Sequence, residues 1–167
     1  LAGSVTENDE DLSGLEGEDL YSHTSREQHL RIWSKLYDQM SRDEADTFYS
    51  LLKPMTYKAN EEIVGRGDTV TTMFFIESGF AGLSYNGDQG EILLTSLQTG
   101  DLIGSEGFIQ DLKWTISLLA QTDLKVRILE QDSFRKLTEQ FPDFTKNLQY
   151  YCNHYDVLPY LIKLTED

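Results

Sequence analysis

Between Met55 and Leu129 the sequence never keeps one character for long. Short apolar and β-branched stretches alternate with glycine turns at intervals of about 8 to 12 residues. "MTYKANEEIVGRGD" carries Ile63 and Val64 into a Gly65-Arg66-Gly67-Asp68 turn, and "TTMFFIESG" is an apolar run closed by Gly79. "FAGLSY" and "EILLTSL" flank Asn86-Gly87-Asp88, a strong hairpin signal. Gly100-Asp101 punctuates the chain again, and Gln121-Thr122-Asp123 splits "WTISLLA" from "LKVRIL". The breaks leave no room for crossover helices between strands. The pattern predicts a mainly β domain, an antiparallel roll of the jelly-roll kind, with helices only at its two ends.

Those flanking helices are legible from a different period. Ile32, Leu36 and Met40 recur every four residues beside Trp33 and Tyr37, one broad apolar stripe on a helix starting near Arg26. Ser41 followed by Glu44 is a capping box for a second helix, faced by Ala45, Phe48, Leu51 and Leu52 and ended by Pro54. After the strands, Phe134 and Leu137 mark a third helix. Pro142 opens a fourth, lined by Phe144, Leu148, Tyr151, Tyr155 and Leu158. The spacing of that last stripe averages 3.5 residues, which keeps one seam toward a partner helix. It suits a weak homodimer or packing back on the roll, and the extra tyrosine at 150 favours the dimer.

Residues 1–25 are predicted to be a solvated acidic leader or linker: the first nineteen positions hold seven acidic residues and no basic one. The folded domain is expected over 26–158. Residues 159–167 read as the start of a linker to an output domain in a longer parent protein, from which a chain beginning at Leu1 looks excised. The formal charge of -15 repels phosphate backbones and anionic membrane surfaces, so neither nucleic acid nor membrane is an expected partner. One cysteine, Cys152, excludes an internal disulfide and fits a reducing, cytoplasmic setting.

Catalysis finds no constellation here. No H-x-x-x-H, H-E-x-x-H or cysteine pair offers a metal site, no glycine loop precedes a helix with a lysine after it, and no serine occupies a strand-to-helix elbow. We expect no enzyme activity, no metal and no cofactor.

Five stretches in order, "ANEEIVGRG" at 59–67, "MFFIESG" at 73–79, "GDLIG" at 100–104, "AQTDLKVRIL" at 120–129 and "FP" at 141–142, resemble the cyclic-nucleotide-binding domain. This is the β-roll sensor of the catabolite activator family, of cyclic-nucleotide-dependent kinases and of gated channels. The resemblance spans roughly residues 30–155 and implies a regulatory module.

The resemblance also implies where a ligand would sit. Nucleotide-binding members follow the glycine matched by Gly104 with a glutamate that receives the ribose hydroxyl; here that position is Ser105, with Glu106 one residue late and Gly107 continuing the pattern. Their next strand opens Arg-Ser/Thr-Ala, whose arginine grips the cyclic phosphate. This chain reads Trp114-Thr115-Ile116. A guanidinium fork supplies charge-assisted bonds of about 1.5 to 3 kcal/mol each, whereas an indole offers one neutral donor. Lys113 is adjacent, with a different geometry. The expectation is therefore a degenerate pocket that does not take cAMP or cGMP in the usual way.

Two alternatives stand beside that reading. In one the roll is a sensor of a non-standard small ligand or variant cyclic nucleotide, with Trp114 stacking on it; in the other the domain is a purely structural interaction module. Iron-sulfur ligation lacks cysteines. Haem would need an axial ligand on a pocket wall, and His23, His29 and His154 are each expected at the surface.

Overall fold

The computed structural model describes residues 24–105 and 113–155. Among these residues three helices lead: α1 (Arg26–Ile32), α2 (Ser34–Tyr37) and α3 (Arg42–Leu51). Eight strands follow: β1 (Lys53–Tyr57), β2 (Glu62–Val64), β3 (Thr72–Ser78), β4 (Ala81–Gly87), β5 (Gly90–Leu97), β6 (Leu102–Ile103), β7 (Ser117–Ala120) and β8 (Leu124–Glu130). Then come α4 (Gln131–Gln140) and α5 (Pro142–Tyr155).

The strands form two antiparallel four-stranded sheets, in the orders β1-β8-β3-β6 and β2-β7-β4-β5. Mainly antiparallel sheets with helices at both ends are the predicted roll. The expected hairpin joins β4 to β5, with Gly87 paired to Gly90.

Two cores divide the molecule. Phe74, Ile76, Ile103, Leu124 and Val126 of the first sheet meet Ala81, Leu83 and Leu118 of the second inside the roll. Met73, Phe75, Leu102 and Leu129 point the other way, against Trp33, Phe48, Phe134, Phe144 and Leu148 of the helices. The first sheet is thus covered on both faces. That is why β3 reads as a continuous apolar run rather than an alternating one.

The N-terminal stripe is not one helix. It breaks at Trp33, whose φ of -107° and ψ of 28° separate α1 from α2. The Ser41–Glu44 capping box forms as expected. Helix α3 stops before Pro54, which enters β1, an edge strand where its missing N–H costs no ladder bond between central strands. Two residues ahead of Arg26 also make contacts. Ser25 caps α1 in a second capping box with Gln28, and Thr24 bonds Glu77.

Helix α5 packs back on its own chain. Phe144, Leu148 and Tyr151 are all buried in the chain's own helical core, and Phe144 packs edge-on against Phe48 at 5.5 Å between centroids. They are committed within the chain and unavailable to a partner helix. Tyr150 and Tyr155 remain exposed, while Leu158 lies outside the described residues, as do 159–167 and most of the acidic leader.

Candidate functional site

Strand β6 is only two residues long, yet it sets the geometry of the turn that follows. Leu102 pairs with Phe75 and Ile103 with Phe74, so the chain leaves β6 directly against the backbone of β3. Gly104 sits there with φ of +110°, and a Cβ at this position would lie 2.4 Å from the Thr72 carbonyl oxygen. Only glycine fits. Ser105 follows and is buried. Glu106 and Gly107 lie outside the described residues, so this half of the expected pocket is represented by Gly104 and Ser105.

The other half is held by backbone bonds to the Gly65–Asp68 turn. The Trp114 N–H donates to the Asp68 carbonyl at 2.7 Å, and the Gly67 N–H donates to the Trp114 carbonyl at 2.7 Å. Lys113 bridges Thr69 next to this clamp and is exposed. With its backbone fixed, the Trp114 ring turns into the roll and is 1% exposed. It packs on Phe74 at 6.4 Å between centroids and joins Val70, Ile103, Ile116 and Leu118 in the interior cluster. Ile116 is 0% exposed, and Thr115 between them is half-buried. Trp114 and Ile116 thus lie in the roll's interior cluster, together with Ile103, the residue before Gly104.

Sequence reasoning placed no functional group on the other face of the first sheet, yet a buried polar cluster lies there. Glu77 stands at a bulge in β3 and is buried. Its carboxylate accepts from Thr24 Oγ1 at 2.7 Å, from Trp33 Nε1 at 3.1 Å and from Arg127 Nε at 3.1 Å, and it contacts His29 Nδ1. His29 Nε2 lies 2.6 Å from the Tyr37 hydroxyl, and Arg127 also donates to the Thr24 carbonyl at 2.7 Å. Arg26 and Arg127 both lie over the Tyr49 ring. His29 is therefore not the surface histidine expected of it. It is wholly buried because Glu77 and Tyr37 engage both ring nitrogens.

Burial by itself would push the Glu77 carboxyl up. The hydrogen bonds from His29 and Thr24, together with the charges of His29 and Arg127, outweigh it and hold the group below the usual carboxylate range. Burial, and then the Glu77 charge, push the Tyr37 hydroxyl far up, so it stays protonated. The cluster ties α1 and α2 to β3 and β8. Its sequence signal was one charge of each sign inside two apolar strands, Glu77 in "MFFIES" and Arg127 in "LKVRIL".

No group of three or more His, Cys, Asp or Glu side chains is arranged to hold a metal among the described residues. Among them too, no helix is long and apolar enough to cross a membrane.

Comparison with known proteins agrees with this architecture. The family model described as "Cyclic nucleotide-binding domain" matches residues 54–141. A cAMP-dependent protein kinase regulatory subunit from Aspergillus niger is 30% identical over 102 residues, covering 61% of this chain and 24% of the relative. The chain thus spans about a quarter of the length of the curated relatives it matches. Among solved structures, the C-linker and cyclic-nucleotide-binding homology region of zELK channels superposes with a TM-score of 0.66 at 20% identity, covering 87% of this chain and 71% of that one. A cyclic nucleotide-binding domain from Methylobacillus flagellatus gives 0.66 at 18% identity over 74% and 71%. At such identities the structures speak for the fold alone.

Proposed function

The chain belongs to the cyclic nucleotide-binding domain family, and from that premise we propose that it is a regulatory module whose roll does not take cAMP or cGMP in the family's usual way. The observation carrying this reading is Trp114. It occupies the position where the resemblance implies a phosphate-gripping arginine, and its side chain is buried in the roll's apolar interior cluster. A cyclic phosphate seated there would face Trp114, Ile116, Val70 and Phe74. Desolvating an anion against such a wall, without a fixed positive charge, is strongly unfavourable.

Arg127 does not fill the gap. It projects to the helical face of β8, opposite Val126 and Ile128, and is held by Glu77. The roll then serves as a rigid body against which the helices are positioned, with its output directed at another domain or subunit. The regulatory-subunit name of its Aspergillus niger relative is consistent with that role.

Isothermal titration of cAMP and cGMP into the whole chain is the direct test. The expected result is no one-to-one complex at micromolar ligand. A micromolar complex that displaces the Trp114 ring, read as a change in indole fluorescence, overturns the proposal.

A further inference from the structure

A second cleft lies on the outer face of the first sheet, remote from Gly104 and Trp114. One cavity there, of about 360 Å³, includes Gln28, Arg31, Ser78 and Lys125 in its walls. An adjoining one, of about 420 Å³, includes Thr56, Lys58 and Asp123 and shares Ser78 and Lys125. Ser78 and Lys125 thus stand in the walls of both.

Strand register explains why these groups converge. Lys125 on β8 stands opposite Thr56 on β1 and opposite Ser78 on β3, so hydroxyl, ammonium and hydroxyl form a row on one face. Leu124, Val126 and Ile128 face the roll interior, which puts Lys125, Arg127 and Leu129 on the helical side. Arg31 on α1 overhangs the row from that side.

Charge accounting separates this cleft from the buried cluster next to it. Arg127 is engaged by Glu77, but Lys125 is half-buried and forms no ion pair among the described residues, and neither does Lys58. Arg31 has only a 3.8 Å contact with Glu27, both side chains being largely exposed. The carboxylates on the walls are already occupied: Glu77 accepts from Thr24, Trp33 and Arg127, and Asp123 accepts from the Ala59 N–H at 3.0 Å. In a chain with 29 acidic and 14 basic residues, cations left over beside satisfied carboxylates are an unexpected arrangement. A partly desolvated ammonium without a counter-charge is costly, and an anion in the cleft removes that cost.

We propose that this cleft binds a small phosphate-bearing molecule. Arg31 supplies a planar fork and Lys125 a point charge, on opposite walls, and the hydroxyls of Ser78 and Thr56 donate to the remaining oxygens. Two cations and two hydroxyls match a dianionic phosphate better than a single carboxylate. Because Arg31 belongs to α1 and Lys125 to β8, the ligand would bridge helix and sheet across the joint already closed by Glu77, and so bias the position of the N-terminal helices. This site is independent of whether the roll takes a cyclic nucleotide.

The test is titration of inorganic phosphate and then pyrophosphate into the whole chain at low ionic strength, followed by amide chemical shifts. We expect saturable shifts at millimolar or lower ligand, centred on residues 28–31, 78 and 125. Lys125→Gln and Arg31→Gln should each weaken binding about tenfold or more, since each removes a charge-assisted contact. Lys136→Gln, an exposed charge on α4, should leave it unchanged, and circular dichroism should show all three variants folded. Three results overturn the proposal: non-saturating shifts at high millimolar phosphate, equal weakening by Lys136→Gln, or binding of an oligoglutamate peptide with none of phosphate or pyrophosphate.

Discussion

Arg127 Nε lies 3.1 Å from Glu77 Oε1 on the neighbouring strand, and both side chains are buried beneath the N-terminal helices. A pair so placed stabilises less by its own attraction than by the penalty for breaking it. Arg127→Met alone should lower unfolding stability by about 3 to 5 kcal/mol, because it leaves Glu77 charged in the core with one partner fewer. Glu77→Met with Arg127→Met should recover part of that loss. Urea unfolding of the two single variants and the double variant measures the coupling directly.

The same cluster sets the acid response. The Glu77 carboxyl is held lower in the folded chain than in the unfolded one. Its contribution is therefore fully present above the unfolded value of about 4.3 and is lost as pH falls through the folded value. Glu77→Gln should be less stable than the parent at neutral pH, and the gap should narrow as pH falls below the unfolded value. Denaturant midpoints measured across that window would show it; a gap independent of pH would remove Glu77 from the acid response.

Alkaline pH works in the opposite sense through α5. Burial, followed by the neighbouring Tyr155 and Cys152, pushes the Tyr151 hydroxyl up to about 12. The unfolded chain ionises tyrosine near pH 10, so this contribution is full below about 10 and is lost as pH rises through the folded value. Tyr151→Phe should flatten the loss of thermal stability above pH 10.

Truncating the ring that fills the roll tests its structural part. Trp114→Ala should cost about 3 to 5 kcal/mol by leaving a cavity among Phe74, Ile103 and Leu118. Trp114→Arg should be destabilised as well, since it puts a charge among the same apolar side chains. It should gain no nanomolar affinity for cAMP, because Ser105 and Ile116 are unchanged. Thermal melts and calorimetry on the two variants separate a packing role from a binding role.

Leu148 distinguishes a core helix from a free seam. It is 0% exposed, so Leu148→Glu should abolish cooperative unfolding at ordinary temperature, whereas Tyr150→Glu, on the exposed side, should leave the melt within about 0.5 kcal/mol of the parent. A folded, merely monomeric Leu148→Glu would return the helix to a role in association.

The strands were legible in the sequence because their signals are local. Glycine turns, the β4–β5 hairpin and the Ser41–Glu44 capping box depend on residues within a few positions of one another; the capping box forms as its chemistry requires, and the hairpin forms with Asp88 and Gln89 at its tip and Asn86 and Gly87 paired in the strand. Gly104 belongs with them as an expected site residue, although only the Thr72 carbonyl at its back explains why no side chain is tolerated. The family resemblance likewise rested on short stretches in order. Those stretches are carried by turns and strand periods, which a linear chain displays.

What tertiary structure alone decided was which side of each element would be covered, and by what. A stripe of period 3.5 on α5 has the same spacing whether it meets a second copy or its own sheet; Phe48 and the helical face of β3 took it. His29 looked like a surface residue because its charged partner is far away in sequence, and Tyr37, eight positions on across the break at Trp33, gives no local sign of the bond it makes. Its partner Glu77 is 48 positions away, and Arg127 a further 50. Sequence determines which charges a chain owns. Whether a charge is solvated, buried in a satisfied cluster like Arg127, or left over at a cleft like Lys125 depends on groups brought together by the fold, because desolvation and pairing act over a few ångströms of space and take no account of distance along the chain.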